Sequence, residues 1–516
     1  MRSTSGQSVR VAQDDHAAVW PLHDAAATRA CERAAQALHP KPSLMARAGL
    51  AVAQLGRALA PQARQSWVLV GPGNNGGDGL VAARWLHSAR HPVHVRFVAD
   101  PARWPADAAQ ALRLAASAGV DIQPFTLDER IDIGPQDLAI DALLGIGSQR
   151  APQGDMAAAI AMLNALDAKR LAVDLPSGLH PDTGALLGTG TGTQAVRADA
   201  TLALLTIKPG CFTARGRDHA GQVWWNDLDA AVDAPIACLG AAPAATARPH
   251  AAHKGNFGDV WLLGGTVGME GALVLAAQAA LAAGAGLVYA CAMHANARPR
   301  LRPELMQRPW QQALQPALLA QTTVVAGCGG GHDITAALPA LLSHAGRLVL
   351  DADALNAIAS NLGLQEALRA RARQGQATVL TPHPLEAARL LTSTSDAVQQ
   401  DRLAAAQQLA QDYQAVVVLK GSGTFVACPG ALPCINPTGN AALGTAGTGD
   451  VLAGWLGGVW AQLANSGDSG ASPQQSARQA SMSAVWRHGN AADRWLSQGH
   501  GGALRAADLI ELMARH

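Results

Sequence analysis

What constrains this chain most is an alternation of strand-like and helix-like sequence that runs twice. Alanine-rich helical sequence fills roughly the first sixty residues, and apolar strand-like runs then recur, each followed by a helical stretch. They are WVLVG from Trp67, VHVRFV from Val93, LAIDALLG from Leu138, LAVDLPSG from Leu171 and ADATLALLT from Ala198. An alanine- and proline-rich segment without clear periodicity, Asp229 to Arg248, interrupts the pattern. A second series follows: DVWLLGG from Asp259, LVYACA from Leu287, TVVAGCGGG from Thr323, RLVLDADALN from Arg347, TVLTPHPLEAARLL from Thr378 and AVVVLKGSGTFVA from Ala415. A helical tail from about Gly447 closes the chain. Alternation of this kind implies mostly parallel sheets covered by helices on both faces, hence an α/β, two-domain protein of three-layer α/β/α type. The expected division is a first domain over residues 1–235, a linker over 236–250 and a second domain over 251–516.

With 49% hydrophobic residues, 15% charged residues and a net charge of +1, there is ample material for two cores. The same balance offers no electrostatic footprint for nucleic acid or an anionic membrane surface. The seven cysteines are scattered singly without a CxxC pair, which argues against a disulfide framework or a zinc site and fits a reducing cytoplasm. The N-terminus, MRSTSGQSVRVAQDDH, lacks the apolar core of a signal peptide. Ala272 to Ala292 comes nearest to a membrane span, and its interrupted Ala/Gly composition reads instead as a buried helix followed by a strand.

Ligands of open α/β sheets bind beyond the carboxyl ends of the strands. In the first series those ends carry Asn74, Asn75 and Asp78 in GPGNNGGDG, then Asp141, Asp174 with Ser177, and Lys208. The glycines of GPGNNGGDG let backbone amides approach an anion at a helix N-terminus, although a tight strand-to-helix turn without a ligand has the same look. Carboxylates at strand ends can bind a cation, hold a hydroxyl or act as acid/base; capping a helix is the plainer alternative. In the second series, GNAALGTAGTGDVLAG sets a glycine-rich turn before an apolar helix. Asp450 in its first turn could accept a proton from a hydroxyl attacking a phosphoryl group, or could simply stabilise the helix dipole. LKGSGT lies upstream, and no Walker A motif is present.

The first half, roughly residues 20–230, resembles the NAD(P)HX epimerase family through SLMARAG, GNNGGDG, DALLGIGSQRAP, AVDLPSGL and LLTIKPG in order. The resemblance implies a Rossmann-like fold that interconverts the R and S forms of hydrated NADH and NADPH with a potassium ion. It places Asn74, Asn75, Gly76, Gly77 and Asp78 against the hydrated nucleotide. Gly145, Ile146, Gly147, Ser148, Gln149, Arg150 and Ala151 would form a second substrate loop. Asn75, Asp141 and Ser177 would bind potassium, and Asp174 would contact the substrate as the acid/base.

The second half, roughly residues 245–514, is similar to the ADP/ATP-dependent NAD(P)HX dehydratase family, which has a ribokinase-like fold. The motifs are KGNFGDVWLLGG, GAGLV, RPE, DADALN, TPHPLEAARLL, LKGSGT, GTAGTGDVLAG and HGNAAD. The resemblance implies that Ala272, a glycine among Gly329 and Gly331, His383 and Asp450 contact the substrate, with Asp450 as catalytic base. The adenine nucleotide would lie on Lys420, Gly421, Ser422, Gly423 and Thr424, and on Asn440, Ala441, Ala442, Leu443, Gly444, Thr445, Ala446, Gly447, Thr448 and Gly449. One motif departs from the pattern: GCGGG, Gly327 to Gly331, stands where GPGLG is expected.

Together these features imply a bifunctional nicotinamide-cofactor repair enzyme that acts on NADHX and NADPHX with ADP as co-substrate and Mg2+ as its companion ion. Neither nucleic acid nor membrane is an expected partner, and a homo-oligomer fits such folds. The rival readings are a kinase of a small alcohol, which would release a stable phosphorylated product, and a nucleotide-binding sensor without turnover.

Overall fold

The computed structural model describes residues 7–11, 19–39, 41–127, 129, 131–188, 190, 192–244, 248–465 and 470–515. Most of the N-terminal stretch read for targeting, and residues 245–247 of the expected linker, lie outside them. Contacts divide the chain into two compact units, one reaching Cys238 and the other beginning at Leu239. A short strand, Ala237–Leu239, forms inside the stretch expected to be linker.

The first unit is built on a sheet ordered Val9–Arg10, Gln222–Asn226, Ala200–Leu204, Lys169–Val173, Leu138–Ala142, Ser66–Val70, Val93–Phe97, Asp121–Pro124. All pairings are parallel except that of Val9–Arg10 with Gln222–Asn226. Ser66–Val70 and Leu138–Ala142 are buried along their whole length, as strands covered on both faces must be. From Ser66–Val70 the chain first builds outward to Val93–Phe97, then returns to the other side at Leu138–Ala142. The direction of winding therefore reverses between these two strands, and a crevice opens beyond their carboxyl ends.

Two helices precede the sheet. Ala25–Leu38 is capped by Asp24, which accepts from the Ala27 amide at 2.7 Å, and Leu44–Leu59 by Ser43, which accepts from Ala46 at 3.2 Å. The GNNGGDG motif was expected to be a loop. Instead the helix Asn74–Ser88 begins inside it, and only Gly73 precedes the first turn. The glycines serve packing: a Cβ on Gly76 would stand 2.0 Å from the Gly71 carbonyl, and one on Gly77 would meet the Met45 side chain at 2.4 Å.

The second unit carries a sheet in which Met306–Gln307, Leu287–Ala292, Asp259–Gly264, Thr323–Ala326, Arg347–Leu350, Ala377–Leu380 and Val416–Leu419 lie side by side and parallel. The sheet continues through the antiparallel strands Phe425–Cys428 and Ala431–Ile435. Winding reverses here between Asp259–Gly264 and Thr323–Ala326. The helix Glu270–Ala282 and the strand Leu287–Ala292 occupy the apolar stretch that came nearest to a membrane span. No helix among the described residues is long and apolar enough to cross a membrane.

The small residues of Glu270–Ala282, expected to pack against the sheet, also admit a second helix, Thr448–Asn465. Cβ atoms on Gly454 and Gly458 would lie 2.0 Å and 2.4 Å from the carbonyls of Ala276 and Ala280. Among the described residues the helical tail comprises three helices, Thr448–Asn465, Pro473–Ser497 and Ala506–Ala514.

Candidate functional sites

In the first unit a cavity of about 640 Å³ opens at the reversal of winding. Its wall includes Asn74, Asn75 and Asp78 from one strand end, Gly145, Ile146, Gly147 and Ser148 from the next, and Asp174 from a third. Gln149 and Arg150 lie past this wall and are exposed, while Gly76 and Gly77 are buried under the helix start.

Asp174 follows directly on the strand Lys169–Val173 and has a left-handed backbone, φ 69°, a strained state for a non-glycine residue that recurs at functional positions. Its carboxylate accepts from the Leu204 amide at 3.1 Å and from the ammonium of Lys208. Lys208 is fully buried, and its remaining donors reach the carbonyls of Leu204 at 2.7 Å and Thr206 at 3.0 Å. Neither Asp174 nor Asp141 caps a helix, which removes the plainer alternative for both.

Asp141, Ser177 and Asn75 converge on Leu144. Asp141 accepts from the Ser177 hydroxyl at 2.6 Å, the Ser177 amide at 2.8 Å and the Leu143 amide at 3.2 Å. Ser177 Oγ accepts from the Leu144 amide at 2.8 Å, and Asn75 Nδ2 donates to the Leu144 carbonyl at 3.1 Å. Burial pushes the Asp141 carboxyl up to about 6, against the downward pull of those hydrogen bonds. A buried carboxylate ringed by hydroxyl, amide and carbonyl oxygens, with no soft ligand, is a donor set suited to an alkali cation.

Glu32 is not among the residues expected from motifs. It sits on the helix Ala25–Leu38 and joins Asp78 and Asp174 on the cavity wall. Arg29, one turn earlier, ties that helix to the opposing loop through the Ile146 carbonyl at 3.1 Å. Burial, then the nearby charge of Asp174, raises the Glu32 carboxyl, and the same two causes raise Asp78 well above the usual carboxylate range. An acid on the inward side of an amphipathic helix was the available signal.

The second unit gathers its candidate residues at its own reversal of winding. Thr266 N donates to the Gly329 carbonyl at 2.7 Å and Gly265 N to that of Cys328 at 3.0 Å, so the two glycine turns lie against each other. Gly327, Gly329 and Gly331 all have positive φ. A Cβ on Gly329 would meet Ala272 Cβ at 2.9 Å, which makes Gly329 the glycine adjoining Ala272. Gly331 donates its amide to Asp353 at 2.8 Å.

Asp450 lies in the first turn of Thr448–Asn465. A ligand atom from each of Cys328, Asp351 and Asp450 falls within 4.8 Å of the others. Asp351 accepts from Lys420 Nζ and from Thr381 Oγ1, both at 2.7 Å. Lys420 also lies 3.9 Å from Glu386, whose carboxylate accepts from the His383 amide at 2.8 Å. His383 thus caps the helix Pro384–Leu390, its Nδ1 accepting from Leu385 and Glu386 amides, while its side chain stays half-exposed. Burial, followed by the charge of Asp351, lifts the Asp450 carboxyl to about 6. A carboxylate poised there can take up a hydroxyl proton near neutrality.

The two glycine-rich loops expected to hold the nucleotide are supported from behind. Asp493 accepts from the Gly439 amide and from Asn440 Nδ2, both at 2.8 Å, and Thr448 Oγ1 donates to the Leu443 carbonyl at 2.9 Å. His488 Nε2 pairs with the Thr448 carbonyl at 2.9 Å, and burial pushes its imidazole down to about 4, so it is a neutral donor. These two supports explain the place of HGNAAD in the chain. Lys420 stands beside Gly449, where a Cβ would lie 3.5 Å from Nζ, and so links the two loops.

Known proteins resemble this chain over most of its length. A family model described as NAD(P)H-hydrate dehydratase matches residues 260–515, and one described as YjeF-related protein N-terminus matches residues 41–210. The chain is 35% identical over 488 residues to the bifunctional NAD(P)H-hydrate repair enzyme Nnr of Escherichia coli (strain K12), covering 92% of this chain and 88% of that protein. It is also 35% identical over 482 residues to the bifunctional NAD(P)H-hydrate repair enzyme Nnr of Coxiella burnetii, covering 90% of this chain and 93% of that protein. Among solved structures, the ADP/ATP-dependent NAD(P)H-hydrate dehydratase of Bacillus subtilis, co-crystallised with ATP/Mg2+, is 27% identical, with a TM-score of 0.42, over 52% of this chain and 92% of that one.

Proposed function

The chain belongs to the family of bifunctional NAD(P)H-hydrate repair enzymes, and from that premise we propose how its two sites divide the work. The first unit interconverts R- and S-NAD(P)HX. The second converts S-NAD(P)HX to NAD(P)H at the expense of ADP, releasing AMP and phosphate. Pairing the activities makes sense, because a dehydratase selective for one epimer leaves the other stranded unless an epimerase supplies it.

In the first site the hydroxyl at C6 sits beside the ring nitrogen, whose lone pair assists its departure. Asp174, fixed by Lys208 and the Leu204 amide, moves the proton that this exchange of water requires. Asn75, Asp141 and Ser177 would hold a potassium ion, which would supply fixed positive charge next to the Gly145–Ser148 loop. In the second site Asp450 removes the proton of the C6 hydroxyl as that oxygen attacks the terminal phosphoryl group of ADP. The phosphate ester then leaves by elimination, which replaces a poor leaving group with a good one. Magnesium bound with the nucleotide would neutralise phosphate charge, and Lys420 stands beside Gly449 to add its own.

The observation that carries the reading is the Asp450, Asp351 and Lys420 constellation at the mouth of two glycine turns. The test follows near-ultraviolet absorbance of dihydronicotinamide with purified protein, an epimer mixture of NADHX, ADP, Mg2+ and K+. Complete recovery of NADH with release of free phosphate supports both activities. Absence of any rise with ADP or ATP overturns the dehydratase assignment and favours a small-alcohol kinase.

A further inference from the structure

The epimerase cavity contains more acid than its assigned chemistry uses. Glu32, Asp78 and Asp174 line one space of about 640 Å³. The buried cation near them, Lys208, is already committed: its donors go to Asp174 and to the carbonyls of Leu204 and Thr206. Among the described residues neither the Asp78 nor the Glu32 carboxyl group has a hydrogen-bond or ion-pair partner. Asp78 and Asp174 also reach the cavity from different sides. Asp174 ends the strand Lys169–Val173, Asp78 rides the helix after Ser66–Val70, and Leu138–Ala142 with its Leu143–Ser148 loop runs between those strands.

We propose that Asp78 is a second catalytic residue of the epimerase, the general acid that works across the cavity from Asp174 as general base. This rests on the epimerase reading given above. The proton of Asp78 passes to the C6 hydroxyl, the C6–O bond breaks, water departs, and the ring nitrogen lone pair closes a C6–N double bond. A water molecule then adds to the other face of C6 and gives its proton to Asp174. The product is the opposite epimer, with Asp78 ionised and Asp174 protonated. That state is the one needed for the reverse reaction, and exchange of protons with solvent restores the first.

The charges around Asp78 agree with this assignment. It faces Glu32 and Arg29 from the helix Ala25–Leu38, and Asp174 with buried Lys208 behind it; His39 and Asp107 also line the cavity. Burial and the two neighbouring carboxylates outweigh the pull of Lys208 and hold the Asp78 carboxyl well above its ordinary range.

Asp78→Asn preserves size and removes the transferable proton. The expected result is a fall in epimerisation kcat of at least tenfold, within the ~10²–10⁴ that positioned proton transfer contributes, with KM nearly unchanged. Asp78→Glu should regain part of that rate, and its kcat should turn down at alkaline pH as in the unsubstituted protein. The second site of the same chain should process pure S epimer at the unsubstituted rate. The inference is overturned if Asp78→Asn retains more than a tenth of kcat, if its defect lies in KM alone, or if Asp78→Glu is no better than Asp78→Asn. Failure of the unsubstituted chain to epimerise NADHX at all would instead overturn the epimerase reading, so the two failures are distinct.

Discussion

Asp174 and Lys208 form a buried ion pair in which every ammonium donor is used, one by the carboxylate and the others by the carbonyls of Leu204 and Thr206. Removing one member of such a pair leaves the other charged and desolvated, at a cost of about 3–5 kcal/mol. Lys208→Met should therefore lower the stability of the first unit by roughly that amount. A shift in the corresponding urea transition measures it, and an unchanged midpoint would mean that the pair contributes nothing. The epimerisation rate should collapse in parallel, because Asp174 then loses the ammonium that holds its carboxylate in place.

The two sites should separate cleanly in one assay. With an epimer mixture of NADHX and ADP, the unsubstituted chain should restore NADH in a single run to completion. Asp174→Ala should convert the trace to two phases, the second limited by spontaneous epimerisation. Asp450→Ala should abolish the rise altogether. A fast second phase in Asp174→Ala would show that Asp174 is not the epimerase acid/base.

Much of this was legible in the sequence because strand ends are where these folds put their chemistry. Asp141, Asp174, Lys208 and Asp450 could each be placed at such an end, or in the first turn of a helix, from apolar runs alone. Other features depend on distances that no local pattern encodes. Glu32 lies far in sequence from Asp78 and Asp174, and only packing of its helix over the crevice brings the three together. GNNGGDG reads as a loop before a helix, and glycine disfavours helix, yet here the absence of a Cβ lets the helix start touch the Gly71 carbonyl. Cys328 breaks the expected turn motif, and its sulfur stands 3.8 Å from Asp351, beside the proposed base.

The carboxyl of Asp450 supplies a pH dependence with a definite sign. A carboxylate acting as the proposed base must be ionised, and burial raises Asp450 to about 6. Dehydratase kcat/KM should rise with pH through that value and level off above it, provided the S epimer is supplied pure. Because the folded value lies above the unfolded one, the same group's contribution to stability is greatest at low pH and declines as pH rises toward about 6. A profile with no acid limb near 6 would remove Asp450 from the role of base.

Gly454 offers a test of how the second site is held in place. It lies one helical turn beyond Asp450, and a Cβ there would stand 2.0 Å from the Ala276 carbonyl. The obstacle is backbone, so the added methyl cannot be relieved by a rotamer change. The helix Thr448–Asn465 must move off Glu270–Ala282, and overpacking of this kind costs about 1–3 kcal/mol or more. Because Asp450 rides on the displaced helix and Ala272 lies on the one it leaves, the proposed base and the proposed substrate wall would shift relative to each other. Gly454→Ala should therefore lower dehydratase kcat as well as the melting temperature of the second unit, with epimerisation by the first unit unaffected. Equal stability and full dehydratase activity would mean that the two helices tolerate separation and that the close approach does not position Asp450.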